Sequence, residues 1–257
     1  MDVLVTAGGI PNPGDPLYEY TQGGNKVLFE LAGKPILQWV LDAINVSENT
    51  GSILIVGMPE TRAVSSKKPT FFLEAKGSLL ENIEAGIGEL LVINPNSEYA
   101  LLISGDLPAI NGDMIDWLID RSVEQVGDFF YPIIEQRIME ATFKDAQRTY
   151  VSVGEKRYCG GDMMVLRTSL LNKEKHRWKQ LVDSRKNPLR QAMILGLDLS
   201  FRLIAGKLSL DRDVPIASRR LGFDIRVLEC PFAETGMDID KPHHIEIMKK
   251  FIESRKC

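Results

Sequence analysis

Cysteine is scarce: three residues in 257, Cys159, Cys230 and Cys257, with no CxxC pair and no zinc spacing among them. That excludes a structural zinc site or dithiol redox function and fits reduced thiols in a cytoplasm. A basic surplus is missing as well. The 31 Lys and Arg stand against 35 Asp and Glu, a net charge of −4, which leaves no excess to neutralise a run of nucleic-acid phosphates. A small anion, which needs only a few local cations, stays open. No stretch approaches the roughly 18 uninterrupted apolar residues of a membrane span, and the first residues carry no basic leader, so a cytoplasmic protein without a membrane span is expected. Familiar phosphate loops are absent too: there is no GxGxxG, and Gly23-Gly24-Asn25-Lys26 continues with Val27 where GxxxxGK[ST] requires a hydroxyl. Nor is there a repeat, a low-complexity tract or a linker.

What is there reads as ordinary globular material, 44% hydrophobic and 26% charged. One domain over residues 1–257 is expected, with halves at 1–126 and 127–257. Apolar runs of strand length alternate with segments of helical period. Residues 2–6 show no alternation, as befits a strand buried on both faces. Residues 35–46 place Ile36, Val40 and Ala43 or Ile44 on one helical face, with Pro35 suited to the first turn. Further strands are expected at 52–57, 99–104, 129–134, 149–153, 163–166 and 223–229, and further helices at 78–91, 113–126, 209–221 and 242–254. Ser78 and Glu81 have the spacing of a capping box, and the Phe and Leu residues of "FFLEAKGSLL" read as core. The alternation predicts a three-layer α/β/α fold around a mostly parallel sheet.

In such a sheet ligands bind outside the carboxyl ends of the strands, and three segments stand there. In "TAGG", Gly8 and Gly9 either bring successive N–H groups close to a phosphate, with Lys26 reaching the same anion, or simply make a turn. In "SGDLP", Asp106 is either a hard-cation ligand, suited to magnesium, or a turn aspartate. In "MDIDKP", Asp238 and Asp240 alternate about Ile239 and so point the same way, placing one or both toward a metal; Asp240 otherwise reads as an N-cap, a role compatible with ligation.

Taken together, "TAGG", "NKVLFELAGKPILQWVLDAI", "ISGDLPAI" and "MDIDKPHHIEIM" resemble the MobA-like NTP transferases, nucleotidyltransferases related to the molybdenum-cofactor nucleotidyltransferases and the sugar-phosphate pyrophosphorylases. The resemblance covers most of residues 1–115 and about the last twenty. It implies a Rossmann-like sheet of the GT-A nucleotide-diphospho-sugar transferase type. It further implies that Mg2+-dependent transfer moves a nucleotidyl group from a nucleoside triphosphate to a small phosphorylated acceptor, releasing pyrophosphate. By the same resemblance Ala7, Gly8 and Gly9 hold base and triphosphate, Lys26 contacts phosphate, and Gly77 and Ser78 contact the base. Asp106 and Asp240 bind the metal with Asp238 beside them, and Gly160, Gly161 and Asp162 lie where relatives contact the acceptor.

One departure stands out. Relatives place an arginine between the glycines and the lysine, whereas residues 10–25 contain no Arg or Lys, and instead offer Asp15, Glu19, Tyr18 and Tyr20. Lys34 is an available cation nearby, partly structural in its "GKP" setting. In "RTYVSVGEKRYCGGD", the residues Arg148, Lys156, Arg157, Tyr150 and Tyr158 either clasp an acceptor or form a solvated hairpin. His243 and His244 read as surface positions, and His176 as part of a solvated basic face. Two rival functions stand beside this one. A GT-A-type glycosyltransferase would use a nucleotide sugar, but it calls for DxD where this chain has Gly105-Asp106-Leu107-Pro108. The other is a non-catalytic nucleotide-binding regulator.

Overall fold

The computed structural model describes residues 1–170 and 196–255. His176 with its basic cluster, and Cys257, lie outside the described residues. The first half runs β1 (Asp2–Thr6), a short α1 (Tyr18–Thr21), the two-residue strands β2 (Glu30–Leu31) and β3 (Lys34–Pro35), then α2 (Ile36–Val46) and β4 (Ile53–Val56). It continues with β5 (Thr70–Leu73), α3 (Leu79–Ile93), β6 (Tyr99–Ser104) and α4 (Gly112–Val123). The second half has β7 (Phe129–Glu135), α5 (Gln136–Thr142), β8 (Val151–Val153), β9 (Lys156–Gly160) and β10 (Met163–Arg167). After residue 195 come α6 (Leu197–Ile204), α7 (Leu210–Leu221), β11 (Ile225–Cys230) and α8 (Pro242–Ser254).

Among the described residues nine strands form one sheet in the order β5-β4-β1-β6-β10-β7-β9-β8, with β11 on the other side of β7. Pairing is parallel from β5 through β6 and between β7 and β11. It turns antiparallel where β10 enters between β6 and β7. Along one edge of β7, β10 pairs with Phe129 and Phe130, and β9 pairs with the stretch from Ile133 to Glu135. The crossing from one to the other is Gly161-Asp162, opposite Pro132, whose ring nitrogen has no hydrogen to give a ladder.

Alternation along β1 sorts the core into two layers. Val3 and Val5 face α2 and α4, while Leu4 faces α3 and the end of α7 at Leu221. Each such side chain is fully buried, and removing one from water contributes roughly 1.5–3 kcal/mol. A third cluster gathers α5, α8 and the segment from Ala233 to Ile239 at one end of the sheet.

Three local readings are corrected. Phe71 of "FFLEAKGSLL" is 41% exposed, because β5 is an edge strand with one neighbour. Leu79 is exposed as well. Pro35 is the cap position of α2 and not its first turn. Among the described residues no helix is long and apolar enough to cross a membrane.

Candidate active site

The site lies where β1, β6, the β9–β10 crossing and the segment before α8 meet. After Thr6 the chain gives the Ala7 N–H to Val56 O and accepts Asn25 Nδ2 on Ala7 O. The free N–H donors of the loop therefore begin at Gly8: among the described residues no acceptor engages the N–H of Gly8 or Gly9. Asn25 also caps the 3₁₀ turn Lys26–Leu28 through Val27 N, and Lys26 N returns to Gly9 O at 2.9 Å. The Lys26 stem consequently lies over Gly9, where an added Cβ would come within 3.2 Å of Lys26 Cε. On the other side Gly57, at φ +106°, closes against the loop, and a Cβ there would sit 2.5 Å from Gly8 Cα. Gly57→Ala is accordingly expected to cost about 1–3 kcal/mol of strain and to push the Gly8-Gly9 loop out of place; a thermal melt reads the cost.

Asp106 follows β6, is 4% exposed, and accepts Ser104 Oγ–H at 2.5 Å. Its backbone carbonyl takes Ile239 N–H at 3.2 Å, which docks the late segment onto the end of β6. In that segment Met237 and Ile239 are buried in the third cluster. Asp238 and Asp240 therefore face the other way, as their alternation about Ile239 predicts. Carboxylate oxygens of Asp106, Asp238 and Asp240 all lie within 4.8 Å of one another. Asp240 is not the cap of α8; Lys241 holds that position without a side-chain hydrogen bond, which leaves the Asp240 carboxylate to the cluster.

Lys26 Nζ sits among these oxygens, 2.5 Å from Asp106 Oδ2, 2.7 Å from Asp240 Oδ1 and 3.2 Å from Ile239 O. Arg148 pairs with Asp238 and, at 3.3 Å, with Asp162. Asp162 is itself placed by the crossing, its N–H on Thr235 O and its C=O on Ser104 N–H. Four aspartates thus share two cations, and the imbalance shows in their acidities. Burial, with the Asp106 and Asp240 charges, lifts Asp162 above the carboxylate range despite Arg148. Burial and the Asp162 and Asp106 charges lift Asp238 likewise. Burial opposes the ionised form of Asp240 too, but a hydrogen bond with Asp238 and the Lys26 charge outweigh it and hold this carboxyl low. For Lys26, burial is outweighed by Asp106 and Asp240, which raise its pKa above the lysine value. An excess of hard carboxylate oxygens over cations, gathered within 4.8 Å of one another, fits a divalent cation such as magnesium.

Gly77 and Ser78 stand in the neighbouring loop. Gly77 has φ +131°, and Ser78 caps α3 in the predicted capping box with Glu81, its hydroxyl hydrogen still available to donate. Asn82 ties this loop to the glycines: Oδ1 accepts Lys76 N–H at 2.7 Å, and Nδ2 lies beside Gly8. Gly161 N–H goes to Pro132 O, beside Asp162. Of the acceptor candidates, Arg148 and Asp162 join the aspartate cluster. The charges of the β8–β9 hairpin engage neighbouring elements instead. Lys156 pairs with Glu135 and Glu229, Tyr158 donates to Glu229, and Arg157 lies over the Tyr150 ring. Lys34 is held by Asp42 and stacks on Trp39, so it does not replace the missing loop arginine. His244, read as surface, is 2% exposed and sits behind the aspartates.

Residues 21–191 match the family described as MobA-like NTP transferase domain. Over 72 residues the chain is 33% identical to 2-C-methyl-D-erythritol 4-phosphate cytidylyltransferase of Prochlorococcus marinus (strain MIT 9313), a stretch covering 26% of this chain and 32% of that relative. The chain thus spans about a third of the length of that protein. Among solved structures, a hypothetical transferase from Thermus thermophilus superimposes with a TM-score of 0.80 at 28% identity, covering 95% of this chain and 98% of the other. CMP:2-keto-3-deoxy-manno-octonic acid synthetase complexed with CTP superimposes with a TM-score of 0.62 at 13% identity, covering 99% and 98%, a likeness of fold.

Proposed function

The chain belongs to the MobA-like NTP transferase domain family, and on that premise we propose that it transfers a nucleoside monophosphate from a nucleoside triphosphate to a small phosphorylated acceptor. The observation that carries this reading is the meeting of Asp106, Asp238, Asp240 and Lys26 beside the unengaged N–H groups of Gly8 and Gly9. A cytidine nucleotide is the first donor to try, since the relative in P. marinus is a cytidylyltransferase and one structural neighbour holds CTP.

In the reaction an acceptor phosphate oxygen bonds to the α-phosphorus, the bond from that phosphorus to the β-phosphate oxygen breaks, and pyrophosphate leaves. Such transfer depends on alignment and on neutralising oxygens, and an ionised acceptor phosphate needs no base to activate it. Gly8 and Gly9 donate to the triphosphate, and Lys26 offsets charge on the leaving pyrophosphate. Asp106, Asp238 and Asp240 would hold magnesium, which when bound supplies Lewis-acid neutralisation of phosphate oxygens. Arg148 and Asp162 border the acceptor side, together with Gly161. Gly77 and Ser78 meet the base, where the Ser78 hydroxyl hydrogen is free to be given.

Binding to the folded state raises apparent stability, so CTP with Mg2+ is expected to raise the melting temperature more than either alone. A phosphorylated acceptor from a sugar-phosphate and alcohol-phosphate panel should then release pyrophosphate. Failure of every nucleoside triphosphate to shift the melt would overturn the reading. Release of nucleoside diphosphate from a nucleotide sugar would identify a glycosyltransferase instead. The absence of Lys and Arg from residues 10–25 favours one second reading, a nucleotide-binding regulator, whose signature is a melt shift without pyrophosphate from any acceptor.

A further inference from the structure

The proposed metal ligands Asp238 and Asp240 sit on a segment without regular secondary structure, between the 3₁₀ turn Ala233–Gly236 and α8. Something other than a ladder must fix their direction, and the surrounding contacts identify it. His244, in the first turn of α8, is 2% exposed. Its Nδ1 lies 3.0 Å from Asp238 O and 3.3 Å from Asp240 N, and its Nε2 lies 3.2 Å from Ala146 O. In one tautomer Nδ1–H donates to the Asp238 carbonyl. In the other Nδ1 accepts the Asp240 N–H while Nε2–H donates to Ala146. Either way the ring grips the backbone at 238–240.

The grip is not a cap, since the ring engages the Asp240 N–H and the Asp238 carbonyl, both ahead of the helix. Helices leave their first N–H groups without partners, and Asp is among the commonest side chains to satisfy them. Here α8 has no side-chain cap hydrogen bond, although two aspartates lie within four residues of its start. The imidazole reaches back from inside the helix to the backbone of those aspartates, so neither carboxylate is drawn into capping and both remain in the cluster.

The other edge of the ring reaches the opposite wall. Ala146 is buried between Asp145 and Gln147, both at positive φ, a conformation that side-chain-bearing residues hold only where surrounding contacts fix it. Two residues beyond Ala146 is Arg148, which pairs with Asp238 and Asp162. One imidazole therefore stands between the segment that carries two of the aspartates and the loop that carries their arginine.

We propose that His244 is a positioning residue that fixes the 238–240 backbone so that Asp238 and Asp240 converge with Asp106 on a metal ion. The proposal rests on the metal-dependent reading above. The probe is Mn2+ alone, titrated into the full chain and followed by its electron paramagnetic resonance signal, with melting temperatures measured in parallel. His244→Asn places an amide near Nδ1 and keeps the grip on 238–240. His244→Gln places it near Nε2 and keeps only the tie to Ala146. His244→Ala keeps neither.

Partners that orient metal ligands are worth about 10–100-fold in metal affinity. His244→Ala and His244→Gln should weaken Mn2+ binding by at least about tenfold on that scale, whereas His244→Asn should stay within about threefold. A structural role alone would instead make affinity follow the melting temperature across all three variants, and that result overturns the proposal. So does wild-type Mn2+ affinity in His244→Gln. If His244→Ala does not fold, the Asn and Gln pair decides. Failure of the metal reading is separately visible: the unaltered chain would then bind no more Mn2+ than Asp106→Asn does.

Discussion

Asp106→Asn is expected to lower pyrophosphate release by about 10³-fold or more while shifting the melting temperature by no more than a few degrees. The rate effect comes from charge. Asp106 is the most buried of the three clustered carboxylates, and removing one preorganised electrostatic stabiliser typically costs about 10²–10³ in turnover. An amide also removes a negative ligand from a cation that prefers hard anionic oxygen. The fold is spared for local reasons. The amide oxygen can still accept from Ser104 Oγ, the Asp106 carbonyl keeps Ile239 N–H, and Lys26 retains Asp240. One negative charge fewer also relieves the crowding that lifts Asp162 and Asp238. Pyrophosphate release at saturating substrate, with a melt of the same sample, tests both halves. Unimpaired release removes Asp106 from the metal site.

Lys26→Met is the second large effect. The thioether chain keeps the length of the stem over Gly9 and loses only the ammonium, so packing is largely retained. Turnover should fall by roughly 10²-fold, because the proposed reaction relies on Lys26 to offset charge on the leaving pyrophosphate, and residues 10–25 hold no Lys or Arg to take over. Triphosphate affinity should drop as well, by about tenfold, the equivalent of roughly 1.4 kcal/mol. In the free protein the same change removes the countercharge from Asp106 and Asp240, which it bridges. Turnover and nucleotide affinity measured together settle the assignment; normal values of both exclude Lys26 from the phosphate site.

The sequence is most informative where a property is local. The limits of β1, β6 and α8 coincide with those expected from residues 2–6, 99–104 and 242–254, because uninterrupted apolar runs and a proline-initiated helix carry their own boundaries. Ser78 and Glu81 likewise form the capping box their spacing announces. The antiparallel entry of β10 between β6 and β7 has no such signal, since it depends on pairing between segments about 35 to 70 positions apart in the chain. Strand β5 escapes detection because Phe-Phe-Leu reads as core, whereas its place at the edge is decided by the rest of the sheet. Three segments of the candidate site can be located by their position directly after a strand or before the final helix, but Asn25, Asn82 and Ser104, which brace them, look like ordinary polar residues. His244 does leave a trace. The residues of α8 buried alongside it are Ile245, Met248 and Ile252, and 244, 248 and 252 keep the four-residue spacing of one helical face. A doubled histidine masks that period.

The docking of Ile239 N–H on Asp106 O, and of Lys26 on Ile239 O across 213 positions of sequence, has a consequence for how the chain comes into being. On the ribosome, domains are built from the N-terminus onward, so the glycine loop and Asp106 emerge long before the residues that complete their cluster. A nascent chain stopped before residue 238 carries the loop but lacks two of the three clustered carboxylates and the imidazole behind them. The cluster is closed only once α8 has been made and has docked, so a nascent chain would gather all three clustered carboxylates long after Asp106 itself has emerged.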